Sequence, residues 1–153
     1  MTLSGKIRLG DLLQQQGLIT EGQLALALEQ QKTASLRLGR ILVNNGFVTE
    51  EHISEALAKQ LDIPYINLKN FHIKPELVRL LSESQSRRYQ AIVLEEREGR
   101  MLIGMANPTD QKSAEEIARI MECEIDVGVV TEGQLLEGID RGFLRSSGII
   151  ASE

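Results

Sequence analysis

The chain has 153 residues, 42% of them apolar and 25% charged, a composition ordinary for a soluble globular protein of one domain or two small ones. Three Phe, two Tyr and no Trp mean an aliphatic core, and they leave too few aromatics for the stacking platforms that bind single-stranded nucleic acid. The net charge of −5 comes entirely from residues 61–153, while residues 1–60 carry six cations against six carboxylates, so no basic stripe exists for a long polyanion and no nucleic-acid partner is expected.

The first ten residues, MTLSGKIRLG, lack the apolar run of a signal peptide, and no stretch of 18 apolar residues follows. A cytoplasmic location without direct membrane insertion is the expectation.

An internal repeat comes next. Residues 8–31, RLGDLLQQQGLITEGQLALALEQQ, and residues 37–60, RLGRILVNNGFVTEEHISEALAKQ, align without a gap at an offset of 29, with ten of 24 positions identical. Most of the remaining apolar positions exchange one aliphatic for another, and the spacer is five residues, Lys32 to Leu36. Each copy reads as a helical hairpin. Gly17 and Gly46 sit where a helix C-cap glycine belongs, and Thr20 and Thr49 where the next helix would be N-capped. Gln23 completes a capping box with Thr20, whereas His52 in the equivalent place predicts an imperfect one. Leu24, Leu28 and Gln31 fall on one face of the second helix at i, i+4 and i+7, as do Ile53, Leu57 and Gln60.

Beyond Leu61 the pattern changes to α+β. Pro64 ends the helical run before an extended YINL, and Pro75 opens a short helix to about Leu81. Residues 89–96 and 100–105 read as strands around a Glu98-Gly99 turn, broken by Asn107-Pro108. A helix at about 110–122, a β-branched strand at 124–130 and a helix from Thr131 to about Phe143 complete the order. TEGQL recurs at 131–135 without an Arg-Leu-Gly before it, and reads as a reused capping box with no ligand role. The domains expected are 1–61, a four-helix unit of two tandem hairpins; 62–145, a small mixed α+β unit with a short sheet; and 146–153, a linker or tail.

The repeat retains more than a core requires. Surface charges drift between the copies (Asp11 against Arg40, Glu29 against Ala58), yet Arg8 and Arg37 remain guanidinium groups. For one copy alone, Arg-Leu-Gly is a solvated residue, a core residue and a packing glycine, and the glutamine is the polar end of a buried stripe. In duplicate, they describe a half-site comprising a planar cation, an apolar floor, a close-approach glycine and an amide. A guanine phosphodiester matches that chemistry, because arginine bonds a phosphate oxygen or pairs with guanine O6 and N7. Two half-sites fit a ligand with two equivalent halves, such as a cyclic dinucleotide.

The motif of Arg-Leu-Gly, aliphatics at 12–13, Gly17, aliphatics at 18–19, then Leu24, Leu28 and Gln31, resembles the cyclic di-GMP-binding motif of the MshEN domain family. The second copy matches through Arg37, Leu38, Gly39, Ile41, Leu42, Gly46, Phe47, Val48, Ile53, Leu57 and Gln60, with Phe47 in place of an aliphatic. Residues 61–143 also resemble the second N-terminal domain of type II secretion and type IV pilus ATPases, through GMANPTD at 104–110 and VVTEGQLLEGIDR at 129–141. The resemblance implies ligand contacts at Arg8, Leu9, Gly10, Leu24, Leu28, Gln31, Arg37, Leu38, Gly39, Ile53, Leu57 and Gln60. It also implies a regulatory domain controlling an attached C-terminal ATPase, with an inner-membrane platform protein as a further partner.

Other chemistry is sparse. No GxxxxGK[ST] phosphate loop occurs, so the chain is not expected to be an enzyme or to carry a catalytic cofactor. His52 and His72 have no nearby ligating partners, so no metal is expected. Cys123 between two glutamates reads as a bystander thiol that suits a reducing compartment. The acid pairs Glu95-Glu96 and Glu115-Glu116 read as solvated surface. The rival to ligand binding is a docking module for the membrane platform, which would have little use for an arginine and a glutamine in both repeats.

Overall fold

The first repeat folds as α1 (Leu9–Gln15) and α2 (Glu21–Gln31), and the second as α3 (Leu38–Asn44) and α4 (Glu50–Leu61), in a computed structural model that describes residues 8–144. Glycine ends the first helix of each copy. Gly17 takes φ +76° and Gly46 φ +77°, where an L side chain is strained, with open space around both. Their turns satisfy the last carbonyls in the same way. Gly17 N donates to Gln14 O at 3.0 Å and Leu18 N to Leu13 O at 2.9 Å, while Gly46 N donates to Val43 O at 2.9 Å and Phe47 N to Leu42 O at 3.0 Å. These are two Schellman motifs at equivalent places.

The second helices begin on capping boxes in both copies. Thr20 Oγ1 accepts from Gln23 N at 3.1 Å, and Gln23 Oε1 accepts from Thr20 N at 2.9 Å. The expected imperfection at His52 is corrected. His52 Nδ1 accepts from Thr49 N at 3.2 Å while Thr49 Oγ1 accepts from His52 N at 3.0 Å. A neutral imidazole offers one acceptor nitrogen, and at this position it does the work of the glutamine oxygen.

The copies are not self-contained hairpins. α2 packs chiefly on α3, while α1 packs on both α3 and α4. Gln16 Nε2 donates to Ala56 O at 3.3 Å, and Asn45, its counterpart at the offset of 29, donates through Nδ2 to Gln30 Oε1 at 2.7 Å. One core collects Leu12, Leu13, Ile19, Ala27, Ile41, Leu42, Val48 and Ala56 from all four helices and their turns.

The chain divides between Asp62 and Ile63 into two compact units. In the second, β1 (Ala91–Arg97), β2 (Arg100–Met105) and β3 (Ile125–Val129) form a sheet in that order, β1 antiparallel to β2 and β2 parallel to β3. Glu98 and Gly99, both at positive φ, make the β1–β2 turn. The extended YINL joins the sheet by a single parallel bridge, Tyr65 to Val129.

Both faces of this sheet are covered, which explains the unbroken AIVL of β1. Ile92 and Leu94 pack with Leu68, Ile73, Val78, Val130, Leu135 and Ile139. Ala91 and Val93 pack with Leu81, Ile103, Met105 and Ile117 on the other side. The contributing helices are α5 (Pro75–Val78), α6 (Glu83–Tyr89), α7 (Gln111–Met121) and α8 (Glu132–Leu144). The fold is thus α+β, as expected, and the tail at 146–153 lies outside the described residues.

Two local expectations are corrected. The strand expected at 89–96 begins only at Ala91, because Tyr89 ends a helix, α6 (Glu83–Tyr89), that opens on a capping box of Ser82 and Gln85 and carries no apolar periodicity. The TEGQL at 131–135 is only half a box. Thr131 Oγ1 accepts from Gln134 N at 3.2 Å, but the buried Gln134 amide oxygen turns away and accepts from Leu68 N at 2.9 Å. It satisfies the backbone of a 3-10 turn at Leu68–Asn70.

Gly17→Ala and Gly46→Ala are each expected to destabilise by about 1–2 kcal/mol, read as a lowered urea midpoint. Gln134→Ala leaves the Leu68 amide buried without its acceptor and is expected to cost about 1–3 kcal/mol in the same measurement.

Candidate functional site

Each arginine stands immediately before its helix. Arg8 is the N-cap of α1 at φ −74°, ψ 147°, and Arg37 the N-cap of α3 at φ −71°, ψ 151°. Neither side chain caps its helix, and both are exposed. Among the described residues neither guanidinium has an ion pair or a hydrogen bond. Two cations with five donors apiece therefore face water.

The glycines that follow bring the two triplets together. A Cβ on Gly10 would lie 2.6 Å from Leu24 Cδ1 and 3.2 Å from Leu38 Cδ2. A Cβ on Gly39 would lie 3.3 Å from Leu9 Cδ2 and 3.4 Å from Ile53 Cδ1. Leu38 is the counterpart of Leu9, and Ile53 that of Leu24, so the contacts are reciprocal. Leu9 of the first copy covers Gly39 of the second, and Leu38 covers Gly10. Around this local twofold the two Arg-Leu-Gly triplets touch.

The apolar stripes follow from the same contact. Leu24 and Ile53 sit over the glycines and join the core of the first unit, as does Leu57. Leu28 is 44% exposed, and Gln60 is exposed with no side-chain hydrogen bond among the described residues. Gln31 behaves differently. Its Nε2 donates to Leu36 O at 3.2 Å, one residue before Arg37. The first copy's glutamine is thus tied to the backbone just before the second copy's arginine.

Sequence reasoning missed these links between the copies. A signal for one pair existed, since Gln16 and Asn45 are amides at equivalent positions. None existed for Gln31, whose acceptor is a backbone carbonyl. The ion pair of Arg40 Nη1 with Glu50 Oε2 at 3.2 Å was also unforeseen, because Arg40 replaces an acid in the other copy. Among the described residues no group of three or more His, Cys, Asp or Glu converges as a metal site, and no helix is long and apolar enough to cross a membrane.

The family profile for the MshEN domain matches residues 61–148, the second unit. Longer similarities take in most of the repeats as well. MshE solved with cyclic di-GMP (cdg) superposes with a TM-score of 0.76 at 35% identity, covering 89% of this chain and 99% of that one. The N-terminal domain of XpsE shares the fold, with a TM-score of 0.74 at 20% identity over 92% of this chain and 97% of that one. The type IV pilus assembly ATPase PilB of Myxococcus xanthus is 28% identical over 136 residues, which is 89% of this chain but only 24% of that protein.

Arg8→Ala and Arg37→Ala are expected to leave the thermal melt unchanged to within about 0.5 kcal/mol, as for other exposed side chains without partners. A collapse of the circular dichroism melt would show that the arginines are structural.

Proposed function

Because this chain belongs to the MshEN domain family, we propose that it is a non-catalytic regulatory domain whose duplicated unit binds cyclic di-GMP. The observation that carries the reading is the pair of exposed guanidinium groups, without an ion pair or hydrogen bond among the described residues, on two triplets in reciprocal contact. A cyclic dinucleotide has two phosphates and two bases related by a twofold, and the triplets are related by one too. Arg8 and Arg37 are the candidates for phosphate oxygens or for the O6 and N7 edge of guanine, which a planar fork matches in two parallel bonds.

Leu9, Leu38, Leu24, Ile53, Leu28 and Leu57 supply apolar floor, with Leu28 the most open of the stripe. Gly10 and Gly39 keep the triplets close. Gln60 offers an open amide at its end of the site. Gln31 has already spent one N–H on Leu36, and brings its remaining donor and its oxygen to the Arg37 side. The similarity to MshE solved with cyclic di-GMP supports the choice of ligand.

The chain spans about a quarter (24%) of the length of PilB. In the wider reading it is the sensory part of a pilus or secretion ATPase, carried on a peripheral, cytoplasmic parent. Binding would shift the attached ATPase by the ligand's differential affinity for two arrangements, commonly about 1–3 kcal/mol. A docking role toward a membrane-platform protein is the second reading, favoured by Leu26 at 47% and Leu36 at 45% exposure.

Calorimetric titration separates the two. Cyclic di-GMP is expected to bind, with cyclic di-AMP much weaker because adenine presents an N6 donor where arginine needs the O6 acceptor, and GTP much weaker because a mononucleotide leaves one half of the site empty. Arg8→Ala and Arg37→Ala should each weaken binding at least about tenfold, as expected for loss of a charge-assisted pair. Gln60→Ala should cost less, about 1–2 kcal/mol. Equal binding of the adenine analogue would refute guanine readout, and binding of none of the three would leave docking as the better account.

A further inference from the structure

The two halves of the first unit differ in charge at one position that the shared motif does not fix. Three residues after Arg8, in the first turn of α1, stands Asp11; three after Arg37, in the first turn of α3, stands Arg40. Arg40 Nη1 lies 3.2 Å from the Oε2 of Glu50, the residue that opens α4. The offset of 29 carries that pair onto Asp11 and Glu21, the residue that opens α2. The reciprocal glycine contacts and the matching caps show that the copies share this local geometry. Where the second copy holds a neutral ion pair, the first holds two carboxylates. Both are exposed, and neither has an ion pair or side-chain hydrogen bond among the described residues.

An N-cap residue and the residue three places on, at N3, lie against each other across the first turn, the proximity that lets a capping box close. Asp11 therefore flanks Arg8, and Arg40 flanks Arg37. A drifted surface charge ordinarily has no consequence. This one stands beside the two cations that a dianionic ligand needs, and at both of them.

We propose that the two half-sites are unequal, with Arg37 the principal anchor of the cyclic dinucleotide and Arg8 the weaker one because Asp11 and Glu21 repel the phosphate beside it. Asp11 is then an affinity-setting residue that need not touch the ligand. The proposal rests on the reading of the first unit as a cyclic-dinucleotide site. Its size follows from Coulomb's law in water: reversing one charge at roughly 8 Å from a phosphate changes affinity by about three- to sixfold at low salt, less as salt screens it.

The test is calorimetry of the whole 153-residue chain with cyclic di-GMP, at low and at near-physiological ionic strength, with melts recorded for each variant. Asp11→Arg is expected to tighten binding by about three- to sixfold at low salt, and Asp11→Asn by a smaller factor, with both gains shrinking as salt is added. Arg37→Ala is expected to lose more affinity than Arg8→Ala. Should the melt show Asp11→Arg to be misfolded, Asp11→Asn decides. Unchanged or weaker binding by a folded Asp11 variant, or an Arg8→Ala loss as large as that of Arg37→Ala, overturns the inequality while leaving the site standing. Failure of the unaltered chain to bind any cyclic dinucleotide overturns the site and the inequality together.

Discussion

The contact between Gly10 and Leu38 on one side, and Gly39 and Leu9 on the other, sets how closely α1 and α3 approach. Everything in the first unit that has the character of a binding surface depends on that approach. A residue with a Cβ at position 10 would run into Leu24 and Leu38, and the triplets could touch only after both leucines moved. With glycine in both places, the two arginines, each an N-cap in extended backbone, stand beside one small apolar patch. Among the described residues neither guanidinium makes an ion pair or a hydrogen bond, and both are exposed beside the patch.

A single repeat would fold poorly alone. A seven-residue first helix is too short to be stable in water without packing, and its buried face, Leu12 and Leu13, meets residues of both copies in one shared core. The side-chain amides act across the copies in the same sense, Gln16 to α4, Asn45 to α2 and Gln31 to the segment before Arg37. Each first helix is held by the other copy's second helix. The unit is therefore one interleaved body with an approximate twofold, and a ligand that shares the twofold meets equivalent backbone from both directions with unlike charges around it.

The local devices of this fold could be read from the sequence, because they depend on residues a few positions apart. The cap glycines at 17 and 46, the threonine N-caps at 20 and 49, the Glu98-Gly99 turn and the order of strands and helices from Ala91 onward all belong to this kind. The pieces that escaped depend on partners far away or on unusual chemistry. His52 works as a capping acceptor only through its Nδ1 lone pair, which residue type alone does not reveal. Gln134 has the sequence of a box residue but bonds Leu68, 66 residues away. α6 lacks apolar periodicity because its charged face is solvated, with Arg87 reaching Glu83 and Asp140. The residues of the candidate site were chosen from duplication. Their arrangement was not, because the alignment pairs equivalent residues whereas the fold pairs Leu9 with Gly39 and Gln31 with Leu36.

The interleaving also limits what binding can accomplish. The two copies already share a buried core before any ligand arrives, so ligand binding free energy is not needed to bring them together. A ligand shifts a conformational equilibrium only by its differential affinity for the two states. The groups that can differ cheaply between states are those outside the core: the two arginines, Leu28 and Gln60, and the five-residue spacer, which is tied to the preceding helix by Gln31 Nε2 on Leu36 O at 3.2 Å, by Thr33 Oγ1 on Gln30 O at 3.3 Å and by the exposed Lys32–Glu29 ion pair. A ligand that drew on the Gln31 amide would act at the same point that fixes the approach to Arg37. A change of state in this unit would therefore cost least at the spacer and the two arginine side chains, and most as an opening of the helices, which would expose Leu12, Leu13, Ile41 and Leu42 at a cost of several kcal/mol by the area they bury.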